Sequence, residues 1–279
     1  MPKQSMTAKE IINNYGATFA FIIAIIVFSF TSRGFFSGQN LQNILVQSTS
    51  LGICAFGLTF VLLTGEIDMS YAGVIGLVGT VLAGMLKDGH AIGMVSLVCL
   101  GIGLGTGIVN ALLIVVLKLP SFLVTVAVMF LCMGAERVYS QGVTTWIRQP
   151  EVLAIAQSQV GPVPLSVIYL FALFGICWIF QTQTRAGQYI RALGENISAV
   201  REVGIHTILL KSVVFVIAGG LFAVAGYIET LRIGGGIMYA GKPLMLFVLA
   251  ACFLGTATFK AGKVNFPGTL IGAFFLYTL

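Results

Sequence analysis

From Ile92 to Leu117 the chain carries no charged side chain at all. A helix needs only about 20 such residues to cross the roughly 30 Å apolar layer of a bilayer. Comparable runs, bounded by Pro, Gly and charges, recur near 15–32, 43–64, 71–86, 121–140, 164–182, 208–230 and 243–259. A final run, 265–279, is shorter than a full span. With 58% hydrophobic and 9% charged residues, against about 25% charged in a soluble domain, no single water-soluble core could hide this apolar surface. Disorder is excluded by the same figures. The expected fold class is an all-α polytopic membrane protein, with about nine transmembrane helices, the last one short, in one membrane domain over 1–279. The first run leads into Thr31-Ser32-Arg33 without a small-x-small cleavage site, so it reads as a retained span and not as a signal peptide.

The net charge of +6 does not mark a nucleic-acid surface, because the cations sit at the ends of apolar runs and form no stripe. They set orientation instead. With the N-terminus in the cytosol, Lys3, Lys9, Lys118, Arg185, Arg191, Arg201, Lys211, Lys260 and Lys263 lie inside, and Arg33, Lys87, Arg137, Arg148, Arg232 and Lys242 outside. That excess places the 183–206 connection in the cytosol and the 143–163 connection outside. The five cysteines (Cys54, Cys99, Cys132, Cys177, Cys252) fall inside apolar runs with no CxxC pair, which suits small buried hydrophobes better than disulfides or metal ligands. Gly101, Gly103, Gly105 and Gly107 in one run, and Gly73, Gly76 and Gly79 in another, read as packing faces for close helix approach. Gly236 to Pro243 nearly spells a phosphate loop, but it lacks the Ser/Thr for magnesium and follows a membrane helix. No metal and no cofactor is expected.

Two segments could carry function. In the inner connection, Asn196 suits an N-cap and Gly204 the residue past a helix end, so a short helix fits between them. So short a helix does not persist alone in water, and it serves either as a linker resting on its own bundle or as a docking element for a cytosolic partner. Between the second and third runs lies Leu63-Thr64-Gly65-Glu66-Ile67-Asp68-Met69-Ser70. Carboxylates at a membrane junction need a reason: Asp68 or Ser70 can cap the third helix, which leaves Glu66 unexplained. Glu136 and Arg137 read as members of a structural bridge, with each other or with neighbouring helices, and Asn110 as a hydrogen-bonding link between helices.

Several pieces, in order along the chain, resemble one family: the membrane subunits of bacterial ATP-binding-cassette importers for ribose, other simple sugars and autoinducer-2. They are Asn43-Ile44-Leu45, Leu63 to Ser70, Gly107 to Ile114 with Asn110 inside it, and Leu119-Pro120-Ser121-Phe122-Leu123-Val124-Thr125. Thr184 to Gln188, Ala192 to Asn196, Val203-Gly204-Ile205, Phe253 to Thr256 and Pro267 to Ala273 follow. The resemblance implies a multi-pass permease of the bacterial plasma (inner) membrane, working by alternating access. Its partners would be a second permease subunit, the same or related, two cytosolic ABC ATPase subunits and a periplasmic sugar-binding protein, all around the lipid bilayer. ATP hydrolysis would sit on the partner chains, so the chain itself is not expected to be an enzyme. The resemblance also makes Gly194, Glu195, Asn196, Ser198, Ala199 and Gly204 the ATPase-coupling segment, with Ser198-Ala199-Val200 and Gly204 at docking-motif spacing. Glu66, Asp68, Asn110, Phe122 and Thr125 become candidates for the substrate pathway.

The sequence departs from that family at three places. Glu66 stands where many relatives have glycine, and Gly241-Lys242-Pro243-Leu244 lacks an acid often found there. Relatives usually complete the ninth helix and add a tenth. Two rival functions remain. One is a proton-coupled secondary carrier titrating Glu66 or Asp68. The other is an intramembrane hydrolase using the same acids, for which His90 and His206, expected at opposite membrane ends, supply no help.

Overall fold

The computed structural model describes residues 8–32, 34–258 and 262–279. Lys3, Arg33 and Lys260 of the charge balance, and Phe259 at the end of one apolar run, lie outside them. A backbone in lipid has no water to bond, so an apolar run closes its hydrogen bonds internally. The chain accordingly forms α1 (Ala8–Thr31), α2 (Gly38–Leu63), α3 (Tyr71–Lys87), α4 (Ile92–Ala111) and α5 (Ser121–Ser140), then α6 (Pro150–Ala156), α7 (Leu165–Gln183), α8 (Arg185–Glu195) and α9 (Ile197–Glu202), and finally α10 (Thr207–Ile233), α11 (Leu244–Thr256) and α12 (Phe266–Thr278). A π-helical turn, Leu112–Val116, continues α4.

Among the described residues five helices are long and apolar enough to cross a membrane: α2, α4 with its π turn, α5, α7 and α10. Thr18–Thr31, α3, α11 and α12 are apolar but shorter, so the count of nine spans is not reached by this measure. The shortfall has a physical source in α3, which is buried along most of its length against α4, α5 and α10; a helix sheathed by protein is not held to the thickness of lipid. The all-α expectation also meets two small exceptions, antiparallel ladders pairing Thr145–Trp146 with Gly235–Gly236 and Gln159–Val160 with Val163–Pro164.

The core forms around α2, whose residues from Ser48 onward are almost all buried. Phe56 and Phe60 meet Phe266 of α12 at ring-centroid distances of 5.9 and 4.8 Å. The buried Thr59 hydroxyl bonds that of Thr269 at 2.9 Å, and the Ser50 hydroxyl donates to the Ala225 carbonyl of α10 at 3.1 Å. All five cysteines are buried. The glycine faces are half as expected. A Cβ on Gly103 would strike the Gly219 carbonyl of α10, and one on Gly107 would strike the Phe215 carbonyl, so these two set the closeness of α4 and α10. Gly101 and Gly105 face open space, because a helix turns 100° per residue and α10 covers only one stripe. Gly73 and Gly76 face α5, while Gly79 meets Thr230 of α10.

The bundle has two distinct ends. At one, segment 64–70, the start of α5, α8 and α9 come together. At the other, Lys87 and Asp88 share a cleft with segment 139–149, and Ile147 N–H donates to the Gly234 carbonyl at 2.9 Å. His90 follows α3 at this second end and His206 precedes α10 at the first.

Candidate functional site: a short capped helix and a polar junction

The expected short helix is present as α9, and its ends are closed by the expected residues. Asn196 Oδ1 accepts the Ala199 N–H at 3.0 Å. At the far end Gly204 has φ +80°, its N–H donates to the Arg201 carbonyl at 3.0 Å, and Ile205 N–H donates to the Val200 carbonyl at 3.4 Å. That pair of bonds is a Schellman closure, which needs the left-handed residue glycine supplies most readily. Ser198 and Ala199 are exposed and Val200 is buried, so α9 turns its small residues outward on a single apolar anchor.

Sequence reasoning missed α8. Thr184 caps it by accepting the Gly187 N–H at 3.0 Å, and Ile190 and Leu193, three apart, are buried beneath it. Those two signals, a Thr N-cap and an apolar pair at helical spacing, were the available clues. At the end of α8, a Cβ on Gly194 would collide with the Leu63 carbonyl that ends α2. Glu195 Oε1 takes the Lys263 ammonium at 2.6 Å and lies 3.6 Å from Arg191. The Lys263 hydrogen bond and charge hold the Glu195 carboxyl below its usual range, with Arg191 adding to the effect.

Segment 64–70 is the seat for this assembly, and its polar groups reach α4, α5 and α10. Glu66 Oε1 pairs with Lys211 of α10 at 2.7 Å. Ile67 N–H donates to Ser121 Oγ at 3.3 Å and Met69 N–H to Thr125 Oγ1 at 3.0 Å, both on α5. Asp68, 1% exposed, accepts the Ser70 N–H at 2.8 Å and the Ser70 hydroxyl at 2.6 Å on Oδ1, and the Asn110 amide of α4 at 3.1 Å on Oδ2. Ser70 makes no side-chain cap bond to α3; the capping contribution comes from Asp68, through the N–H two residues on. Thus Glu66, Asp68, Asn110 and Thr125 gather at one junction. Phe122 does not join them: its ring is 58% exposed and only its carbonyl faces Thr125, at 3.4 Å. Lys211 and Ser121 complete the junction and were not foreseen.

The ion pair expected of Glu136 and Arg137 is not among the pairs of the described residues. Glu136 is fully buried on α5, and its Oε1 takes neutral donors, the Tyr239 N–H at 2.7 Å and the Thr80 hydroxyl at 3.2 Å. Arg137, the next residue, is exposed on a different face of the helix.

Removing the Asp68 carboxylate strands three buried donors. Asp68→Ala is expected to lower stability by about 2 kcal/mol, the scale for donors left unpaired in an interior. Asp68→Asn keeps an acceptor for Ser70, and its amide can meet Asn110 Oδ1, which has no partner, once the Asn110 amide turns over. Thermal unfolding in detergent should rank wild type, then Asn, then Ala; equal midpoints for all three would remove Asp68 from the structural account.

The described residues thus form a helical bundle, with five helices long and apolar enough to cross a membrane, that presents a short capped helix at one end. Residues 40–279 match the family model described as branched-chain amino acid transport system / permease component. The ribose import permease protein RbsC of Haemophilus influenzae is 34% identical over 258 residues, 91% of this chain and 80% of that protein. RbsC of Bacillus subtilis is 31% identical over 271 residues, covering 96% of this chain and 84% of that one. The galactofuranose transporter permease protein YtfT of Escherichia coli is 28% identical over 232 residues, 83% and 68% of the two chains. No solved structure matches. The chain belongs to this family of importer permeases, as the motif resemblance implied.

Proposed function

We propose that the chain is the membrane-spanning subunit of an ATP-driven importer of a simple sugar or related polyol, working by alternating access. It would pair with a second permease subunit, receive substrate from a periplasmic binding protein and be driven by cytosolic ABC ATPases. The observation that carries this reading is the placement of α9: a self-capped helix with Ser198 and Ala199 facing out, joined through α8 and Gly194 to the end of the central helix α2. Motion of a bound ATPase at α9 thereby reaches segment 64–70, which touches α4, α5 and α10. The names of the relatives support a sugar as cargo. Co-purification of an ATPase together with ATP-dependent sugar uptake tests the reading; proton-driven uptake without ATP would replace it. The carrier alternative draws no support from the junction, since Glu66 is paired with Lys211 and Asp68 accepts three donors.

The same reading places α9 in the cytosol and segment 143–163 outside. All five native cysteines are buried, so an added one at exposed Ser198 or Gln157 becomes the reactive thiol. An impermeant maleimide applied to intact spheroplasts is expected to label the residue-157 variant and to spare the residue-198 variant. Labelling at 198 in sealed cells would invert the topology.

A further inference from the structure

At the end of the bundle opposite α9, the last turns of α3 and α5 and the 140–149 segment enclose a cleft of about 670 Å³. Sites for small molecules commonly fall between ~300 and ~1,000 Å³. Its walls are Trp146, Tyr139, Lys87, Asp88 and Arg148, the 140–145 turn adds hydroxyl and amide groups, and Thr80 lies at the floor. Val143 is the only aliphatic side chain lining it among the described residues.

Trp146 is 55% exposed, yet its backbone is fixed by the ladder to Gly235, whose missing Cβ lets the indole lie against the opposing strand. Tyr139 is held in the same manner over Gly84, where a Cβ would meet its ring at 2.5 Å. Two immobilised aromatic faces among hydroxyl, amide and charged groups suit a ring that is apolar on its C–H face and polar at its edge. The Thr80 hydroxyl, which also lines the cleft, has a single proton shared between Glu136 Oε1 and the Gly76 carbonyl.

We infer that this cleft is a substrate-receiving site for a polyhydroxylated ring, and that its lining sets the cargo class against the branched aliphatic side chains named in the family description. The inference rests on the permease reading and adds its outer substrate site. A sugar hydroxyl is both donor and acceptor, so it can satisfy the hydroxyl, amide and charged groups that line the cleft. A leucine-like side chain would find Val143 alone.

Trp178→Phe leaves Trp146 as the sole tryptophan, and its emission then reports the cleft directly. In the detergent-solubilised permease we expect a saturable change with millimolar D-ribose or D-galactose and none with L-leucine. In the assembled transporter with its binding protein and ATPase, Trp146→Ala should raise the sugar concentration for half-maximal uptake about tenfold, with Trp146→Phe recovering most of that loss. A response to L-leucine instead of the sugars would overturn the substrate class. Silence toward every probe, beside normal ATP-driven sugar uptake in all three tryptophan variants, would overturn the site and leave the permease function standing. A sugar response without any ATP-driven uptake would overturn the function and leave the site.

Discussion

Gly103→Leu is expected to abolish recovery of folded protein, while Gly101→Leu, two residues away on the same helix, leaves it unchanged. The two positions differ only in what lies opposite. A side chain on Gly103 would occupy the volume of the Gly219 backbone carbonyl and the Ala223 methyl of α10. Neither is the tip of a flexible side chain, so the helices must separate along the whole contact. Overpacking of a well-filled interior costs about 3 kcal/mol at its upper range, and here it opposes the close backbone approach on which membrane helix association depends. Gly101 has nothing within 4 Å, so leucine there projects outward. Size-exclusion profiles of the two variants after detergent extraction provide the comparison. Equal monodisperse recovery would show that α4 and α10 are not held by this contact.

Ala199→Arg should reduce ATP-driven uptake to background without reducing the amount of folded permease. Ala199 is exposed at the outward side of α9, and its N–H, not its side chain, engages the Asn196 cap. The substitution therefore leaves α9 intact and adds a long cation where the proposed ATPase would seat. Ala199→Ser keeps the volume small and should retain most of the uptake. Gly204→Val acts differently, by straining the φ +80° closure at roughly 1–2 kcal/mol, so it should weaken coupling through misdirection of the chain entering α10. ATPase recovery on the immobilised permease, measured with uptake, separates these effects. Full recovery and full uptake in Ala199→Arg would reduce the 183–206 segment to a connector.

The caps of α9 could be read from sequence because capping is local: Asn196 and the N–H three residues on, or Gly204 and the turn behind it, meet whatever the rest of the chain does. The apolar runs were legible for a related reason, since lipid demands helix of any long run. Pairings across the bundle were not. Glu66 and Lys211 are 145 residues apart, and nothing local distinguishes Lys211 from the other inner cations. That Phe122 stands apart from the junction was not legible either, because uniformly apolar spans carry almost no amphipathic signal to fix which face turns inward. Glu136 was expected in an ionic bridge with Arg137 or a neighbouring helix, but its partners are neutral groups, the Thr80 hydroxyl and the Tyr239 N–H, that only the fold brings to it. The cleft beside Trp146 draws on α3, α5 and a two-residue ladder to Gly235, and only the folded arrangement brings them together.

The closures at both ends of α9 bear on how strongly a partner can be held. A segment that orders only on contact spends part of the contact energy on its own ordering. Here Asn196, Gly204 and the buried Val200 have already fixed the backbone. If α9 docks the proposed ATPase, association and release can follow one another quickly, because neither leaves behind a frayed helix that must be rebuilt before the next cycle.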